Sequence, residues 1–178
     1  MNALEILSRY LKDDTLLYNI VYTHSRSVAN KALTVAYNHP ELQANLNFLE
    51  QASLIHDIGV FKTNAPSIEC FGTYPYICHG YLGREIIESE GFPEHALVCE
   101  RHTGTGLSKN EIETRCLPIP FRNMMPVSVE ETIICFSDLF FSKTNLENER
   151  SVSSVRSGLE KYGKEGVIKF DEWCSLFL

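Results

Sequence analysis

The sequence predicts an all-α protein, a single bundle of about seven to nine helices. Three observations lead there: apolar residues recur at spacings of three and four nearly throughout, no stretch sustains two-residue alternation, and helix start and stop signals flank several of the periodic runs. With 178 residues, 44% of them hydrophobic and 11% aromatic, the chain fits one domain over 1–178 with a core that needs no external staple.

Taken in order, the first helix is expected at roughly 3–13 and the second at roughly 15–37, where Leu17, Ile20, Val21, His24 and Val28 share a face. The third follows Pro40, spans roughly 41–58 and ends near Gly59. A fourth at roughly 79–90 is closed by Gly91, and Pro93 opens a fifth at roughly 93–103. A short sixth falls near 108–115; a seventh, near 128–145, starts on Ser128 with Glu131 as a capping box. Two more are expected at roughly 148–162 and 164–174. The terminal "FDEWCSLFL" should pack back on the domain, with a homodimer contact as the alternative. Segments 59–78 and 104–127 read as irregular, and loops of that length are often functional.

The formal charge is −7 and no Lys/Arg run is dense enough to track a phosphate backbone. Duplex nucleic acid and an anionic membrane are therefore not expected as main partners, whereas a small anion stays open because a bound cation can invert the local field. Six cysteines without a C-x-x-C pair read as reduced, packed thiols. No signal-peptide pattern opens the chain and no run of eighteen apolar residues occurs, so a cytoplasmic location is expected.

Several polar side chains fall where the pattern calls for core. His24 points inward; His56 follows Leu49, Ala52 and Ser53, and Asp57 follows Ser53 and Leu54, at inward helical spacings. Adjacent helical side chains diverge by about 100°, so His56 and Asp57 meet one ion only near a helix end. Asp138 lies in "IICFSDLFF", where an ionised carboxylate is costly unless paired or metal-bound. His79 opens one helix and His102 closes another, each beside an irregular segment. Singly, each could be a hydrogen-bonded core residue; together the six suggest a metal site. His39 and His95 read as surface residues without a role. Imidazole with carboxylate and no thiolate is the donor mixture of Fe, Mn, Zn or Co sites. Four ligands suffice for one ion, and six suggest two that share a bridging carboxylate.

The order His24, His56 with Asp57, and Asp138, carried by "THSRSVANKAL", "ASLIHDIG" and "ICFSDLF", resembles the HD superfamily of metal-dependent phosphohydrolases, and the doublet has the form of its HDIG subgroup. "CHGYLG" and "ERHTGTG" resemble the extra histidine motifs of the binuclear branch, which includes bacterial hydrolases that split diadenosine tetraphosphate symmetrically. The resemblance implies an HD-type catalytic part at about 15–145. It also implies a first metal on His24, His56, Asp57 and Asp138, a second on His79 and His102, and Asp57 as the bridge that orients a hydroxide. Two divalent transition ions are implied (Fe, Mn, Co, Ni or Zn, with Mg a further option). The implied reaction is attack of metal-bound hydroxide on a small phosphoester or phosphoanhydride, a nucleotide or dinucleoside polyphosphate.

Two departures stand out: Val60 and Leu139 occupy positions where many relatives carry Lys. Phosphoryl transfer needs cations, for which Arg26, Lys62, Arg101, Arg122 and Lys143 are candidates, with Thr103, Thr105 and the backbone at Gly104 and Gly106 as further phosphate contacts. Three rival readings follow: a di-iron oxygenase on the same ligands, a nucleotide-binding domain without turnover, and an acidic structural helical protein.

Overall fold

Short polar side chains start most of the helices. Asn2, Thr15, Asn45, Ser108, Ser128 and Ser151 each accept a backbone N–H from the first turn they precede, a cap worth roughly 1 kcal/mol apiece. In this computed structural model, which describes residues 1–178, nine α-helices result: α1 (Ala3–Leu11), α2 (Leu16–Asn38), α3 (Leu46–Ile55), α4 (His79–Ser89), α5 (Pro93–Arg101), α6 (Lys109–Thr114), α7 (Val129–Asp138), α8 (Val152–Glu160) and α9 (Lys164–Phe177). The only sheet is an antiparallel pair, β1 (Asn64–Ala65) with β2 (Cys70–Phe71), inside the segment read as irregular. No helix is long and apolar enough to cross a membrane.

Three boundaries differ from the sequence expectation. Pro40 opens a separate 3-10 turn, Pro40–Leu42, ahead of α3. At its other end α3 stops at Ile55, and a 3-10 turn, Ile58–Lys62, takes over after Asp57 adopts φ −98 and ψ 6. That kink frees His56 and Asp57 from the angular divergence an α-helix would impose. The seventh helix ends at Asp138 rather than near 145, so the segment after it is loop and α8 begins late. At Ser128 only half of the capping box forms. The Ser128 hydroxyl accepts from Glu131 N, while the Glu131 carboxylate accepts from Val127 N at 2.6 Å and pairs with Arg101.

The core consists of a small apolar cluster of Leu107, Ile112 and Met124 and of two large ones. One joins Val28, Ala32 and Val35 of α2 to Phe136 of α7 and to Phe170, Trp173 and Phe177 of α9. The C-terminal segment thus packs back on the bundle, with the Phe177 ring 5.2 Å from that of Phe136. The other cluster joins Ile6 and Leu7 of α1 to Val21 of α2, Ile55 of α3, Ile86 and Ile87 of α4 and Cys99 of α5. Helices α2, α3 and α5 feed both clusters. On α2, His24 stands one turn from Val21 and one turn from Val28, so a polar seam runs where the clusters adjoin.

Four of the six cysteines are buried and none is paired; Cys116 is exposed and Cys174 half-buried. His95 is not a free surface residue as its sequence position suggested. It is half-buried, its ring 4.4 Å from Phe48, because the first turn of α5 lies against α3. His39 is likewise half-buried rather than free at the surface, 3.0 Å from the exposed Glu41.

One close approach ties the fold to the seam: a β-carbon on Gly59 would collide with the carbonyl oxygen of His79 and with Gly83 N. Backbone atoms on both sides leave no flexible end to give way. Gly59→Ala is therefore expected to destabilise the protein by about 3 kcal/mol and to displace the start of α4, read by chemical denaturation and by the metal content of the purified variant.

Candidate metal centre

Each candidate ligand histidine after α2 ends a helical segment. His56 caps α3, His79 caps the 3-10 turn Tyr76–Cys78 before opening α4, and His102 caps α5. In all three the Nδ1–H donates to the carbonyl oxygen three residues back: Ser53 at 2.6 Å, Tyr76 at 2.7 Å and Cys99 at 2.8 Å. Carbonyls at helix C-termini have spare acceptor capacity, which the imidazoles fill, and at Tyr76 the His79 ring shares the carbonyl with the His79 backbone N–H. The same bonds select the tautomer whose Nε2 carries a lone pair, as a metal-ligating histidine requires.

Those Nε2 atoms converge on Asp57. Its Oδ2 lies 3.1 Å from His24 Nε2 and 3.1 Å from His56 Nε2. Its Oδ1 lies 3.5 Å from His79 Nε2 and 3.5 Å from His102 Nε2. Asp138, the last residue of α7, brings Oδ1 to 2.9 Å from His24 and 3.5 Å from His56. The donors form two sets, His24, His56, Asp57 and Asp138 on one side and Asp57, His79 and His102 on the other, with the atoms of each set within 4.8 Å of one another. All six residues expected from the sequence are brought together.

The chemistry of this donor set fits divalent metal ions. Asp57 is fully buried, and both its oxygens, together with His24 Nε2 and His56 Nε2, lack a hydrogen bond of proper geometry. With both Nδ1–H groups committed to carbonyls, His79 Nε2 and His102 Nε2 face each other across 3.0 Å, a pair of donors that one cation would share. Burial, and then His102, push His79 down to about 3, which keeps it neutral. Burial also works against a charged His56, yet without a metal the Asp57 and Asp138 carboxylates hold it up at about 10, so an ion bound there would have to displace the Nε2 proton. Helices α3, α5 and α7 all end at the cluster, and their C-terminal carbonyls favour positive charge there.

Of the five cations expected to face a phosphate, Lys143 alone pairs with a ligand: its Nζ is 2.5 Å from Asp57 Oδ2. It lies half-buried on the loop after α7, and its pKa is raised by the Asp57 charge against the cost of partial burial. Arg26 pairs with Glu50 at 2.8 Å, Arg101 with Glu131 at 2.9 Å, and Arg122 with the buried Glu100, which Arg84 also holds. Lys62, just before β1, accepts at its carbonyl oxygen from the backbone N–H groups of Thr73 and Tyr74, just after β2. Thr103 lines a cavity of about 920 Å³ together with His79. Sequence reasoning missed Tyr76, whose ring stacks on His79 at 4.7 Å. With Asp138 and Lys143 it walls a second cavity of about 440 Å³. The aromatic run "YPYIC" just before His79 was the available signal.

A model of the HD domain family matches residues 21–141, from the turn before His24 to just past Asp138. The chain belongs to the HD domain family. Membership brings metal-dependent hydrolase-type chemistry. Among curated proteins, this HD domain is 30% identical over 146 residues to an uncharacterized protein of Methanocaldococcus jannaschii, a match covering 79% of this chain and 78% of that one. It is 25% identical over 150 residues to a tRNA (cytidine(56)-2'-O)-methyltransferase of Picrophilus torridus, covering 84% of this chain but 38% of that protein, whose name describes the longer polypeptide. No solved structure matches the chain significantly.

The two donor sets predict different losses of metal. His102→Ala should remove about one equivalent per chain and Asp138→Ala nearly all, counted by elemental analysis, since removing a ligand costs at least 10-fold in affinity. An unchanged count in His102→Ala would mean a mononuclear centre.

Proposed function

We propose that this HD domain hydrolyses a phosphoester or phosphoanhydride bond of a small nucleotide-like substrate with two divalent transition metal ions bound. The observation that supports it most is Asp57, with one oxygen among His24 and His56 and the other among His79 and His102. The likeness of "HDIG" and of the two extra histidine motifs to the binuclear branch points the same way and favours a nucleotide or dinucleoside polyphosphate.

Bound metal ions supply Lewis acidity at the phosphoryl oxygens and lower the pKa of water toward neutrality. The protein's own part is positional. Three backbone-anchored imidazoles hold their Nε2 atoms on Asp57. The four histidines are no more than 3% exposed, which keeps bulk water from screening the reacting charge. Substrate reaches the centre through the cavity walled by Tyr76, Asp138 and Lys143. Lys143 supplies the cation for the phosphoryl oxygens that Val60 and Leu139 do not, which removes the motive for reading the domain as a binder without turnover. The nucleophile comes from solvent: burial pushes the thiols of Cys99 and Cys135 up, away from the thiolate that covalent catalysis needs.

The test is phosphate release from nucleotides, dinucleoside polyphosphates and sugar phosphates with added Mn, Fe, Co or Ni, alongside metal content. Turnover should depend on metal, and Lys143→Met should lower kcat roughly 100-fold while the metal count holds. Two irons per chain with an oxygen-dependent spectrum and no phosphate release would replace this reading with the oxygenase one.

A further inference from the structure

The larger cavity shares Tyr76 and His79 with the metal centre, and its far wall is built by α8 and α9, beyond residues 21–141 of the family match. Its charge runs against that of the chain. Arg115, Arg150, Lys161, Lys164 and Lys169 line it against two carboxylates, Glu111 and Glu165, in a protein of formal charge −7. Glu111 is already taken by Arg115 at 2.5 Å. Arg150 donates to the Leu139 and Ser154 carbonyls rather than to a carboxylate, and Lys161, Lys164 and Lys169 enter no ion pair. On the same wall Thr105 is 7% exposed, its hydroxyl without a protein hydrogen-bond partner and facing the first turn of α9 at Gly166. A hydroxyl open to the cleft and without a protein partner is free to bond an anion there.

We propose that this cleft is a polyphosphate subsite, in which Lys161, Lys164, Lys169 and the Thr105 hydroxyl hold phosphate groups that are not themselves attacked. The substrate is then a small nucleoside polyphosphate, with one phosphoryl group at the metal centre and the others along α9. This deepens the hydrolase reading and rests on it for the reacting end only. Point-charge ammonium groups are established phosphate binders, and about 920 Å³ suits a small molecule rather than a nucleic-acid strand.

The experiment measures tripolyphosphate and orthophosphate binding by calorimetry, and turnover of nucleoside mono- and triphosphates, in the intact protein and in Lys161→Glu/Lys164→Glu. Both positions are exposed, and circular dichroism checks that the variant folds. Wild-type protein should bind tripolyphosphate at least tenfold tighter than orthophosphate, and the variant should lose at least tenfold of that preference, with KM for the triphosphate rising in step. An undiminished preference in the variant overturns the subsite even if the protein proves a hydrolase. A preference lost in the variant of a protein that releases no phosphate upholds the subsite and sinks the hydrolase reading instead. Stronger binding and cleavage of a short RNA than of any nucleoside polyphosphate overturns the small-molecule assignment.

Discussion

The structure depends on a fully buried carboxylate. Asp57 has no exposed surface and no hydrogen bond of proper geometry, and a desolvated charge persists in a fold only where opposite charge meets it. That requirement explains why four imidazoles and one ammonium surround it and why three helix ends point at it. It also explains the division of the hydrophobic core, since a group that must be charged cannot lie inside a continuous apolar cluster. The helices are arranged so that apolar faces close above and below a polar seam.

Much of this was legible in the chain. Helical periodicity located all nine helices, because amphipathic spacing is a local property. The six residues of the cluster were recognisable as polar residues on inward faces or beside loops, and His24 is the clearest case, between Val21 and Val28 on one helix face. Their order then carried the family resemblance that the HD domain match bears out.

What escaped the sequence was decided at a distance. The end of α3 at Ile55 follows from the packing of Gly59 against the start of α4, which no local propensity reveals. Arg26, Arg101 and Arg122 looked available for phosphate, but their partners Glu50, Glu131 and Glu100 lie 24, 30 and 22 positions away. Lys143 was credited to a helix that stops at Asp138, and only as part of a returning loop does it reach Asp57. The cationic cleft was invisible for the same reason: its lysines are scattered among acidic neighbours in sequence and gather only when α9 folds across the loop at Thr105.

The i−3 anchoring of His56, His79 and His102 has a kinetic consequence. A ligand that is also the last residue of a helical turn moves when that turn frays, and terminal turns open far more readily than the whole domain. A metal held by such ligands would exchange at the pace of single helix ends opening rather than of global unfolding. The anchors fall on two sides of Asp57, Ser53–His56 on one and Tyr76–His79 with Cys99–His102 on the other.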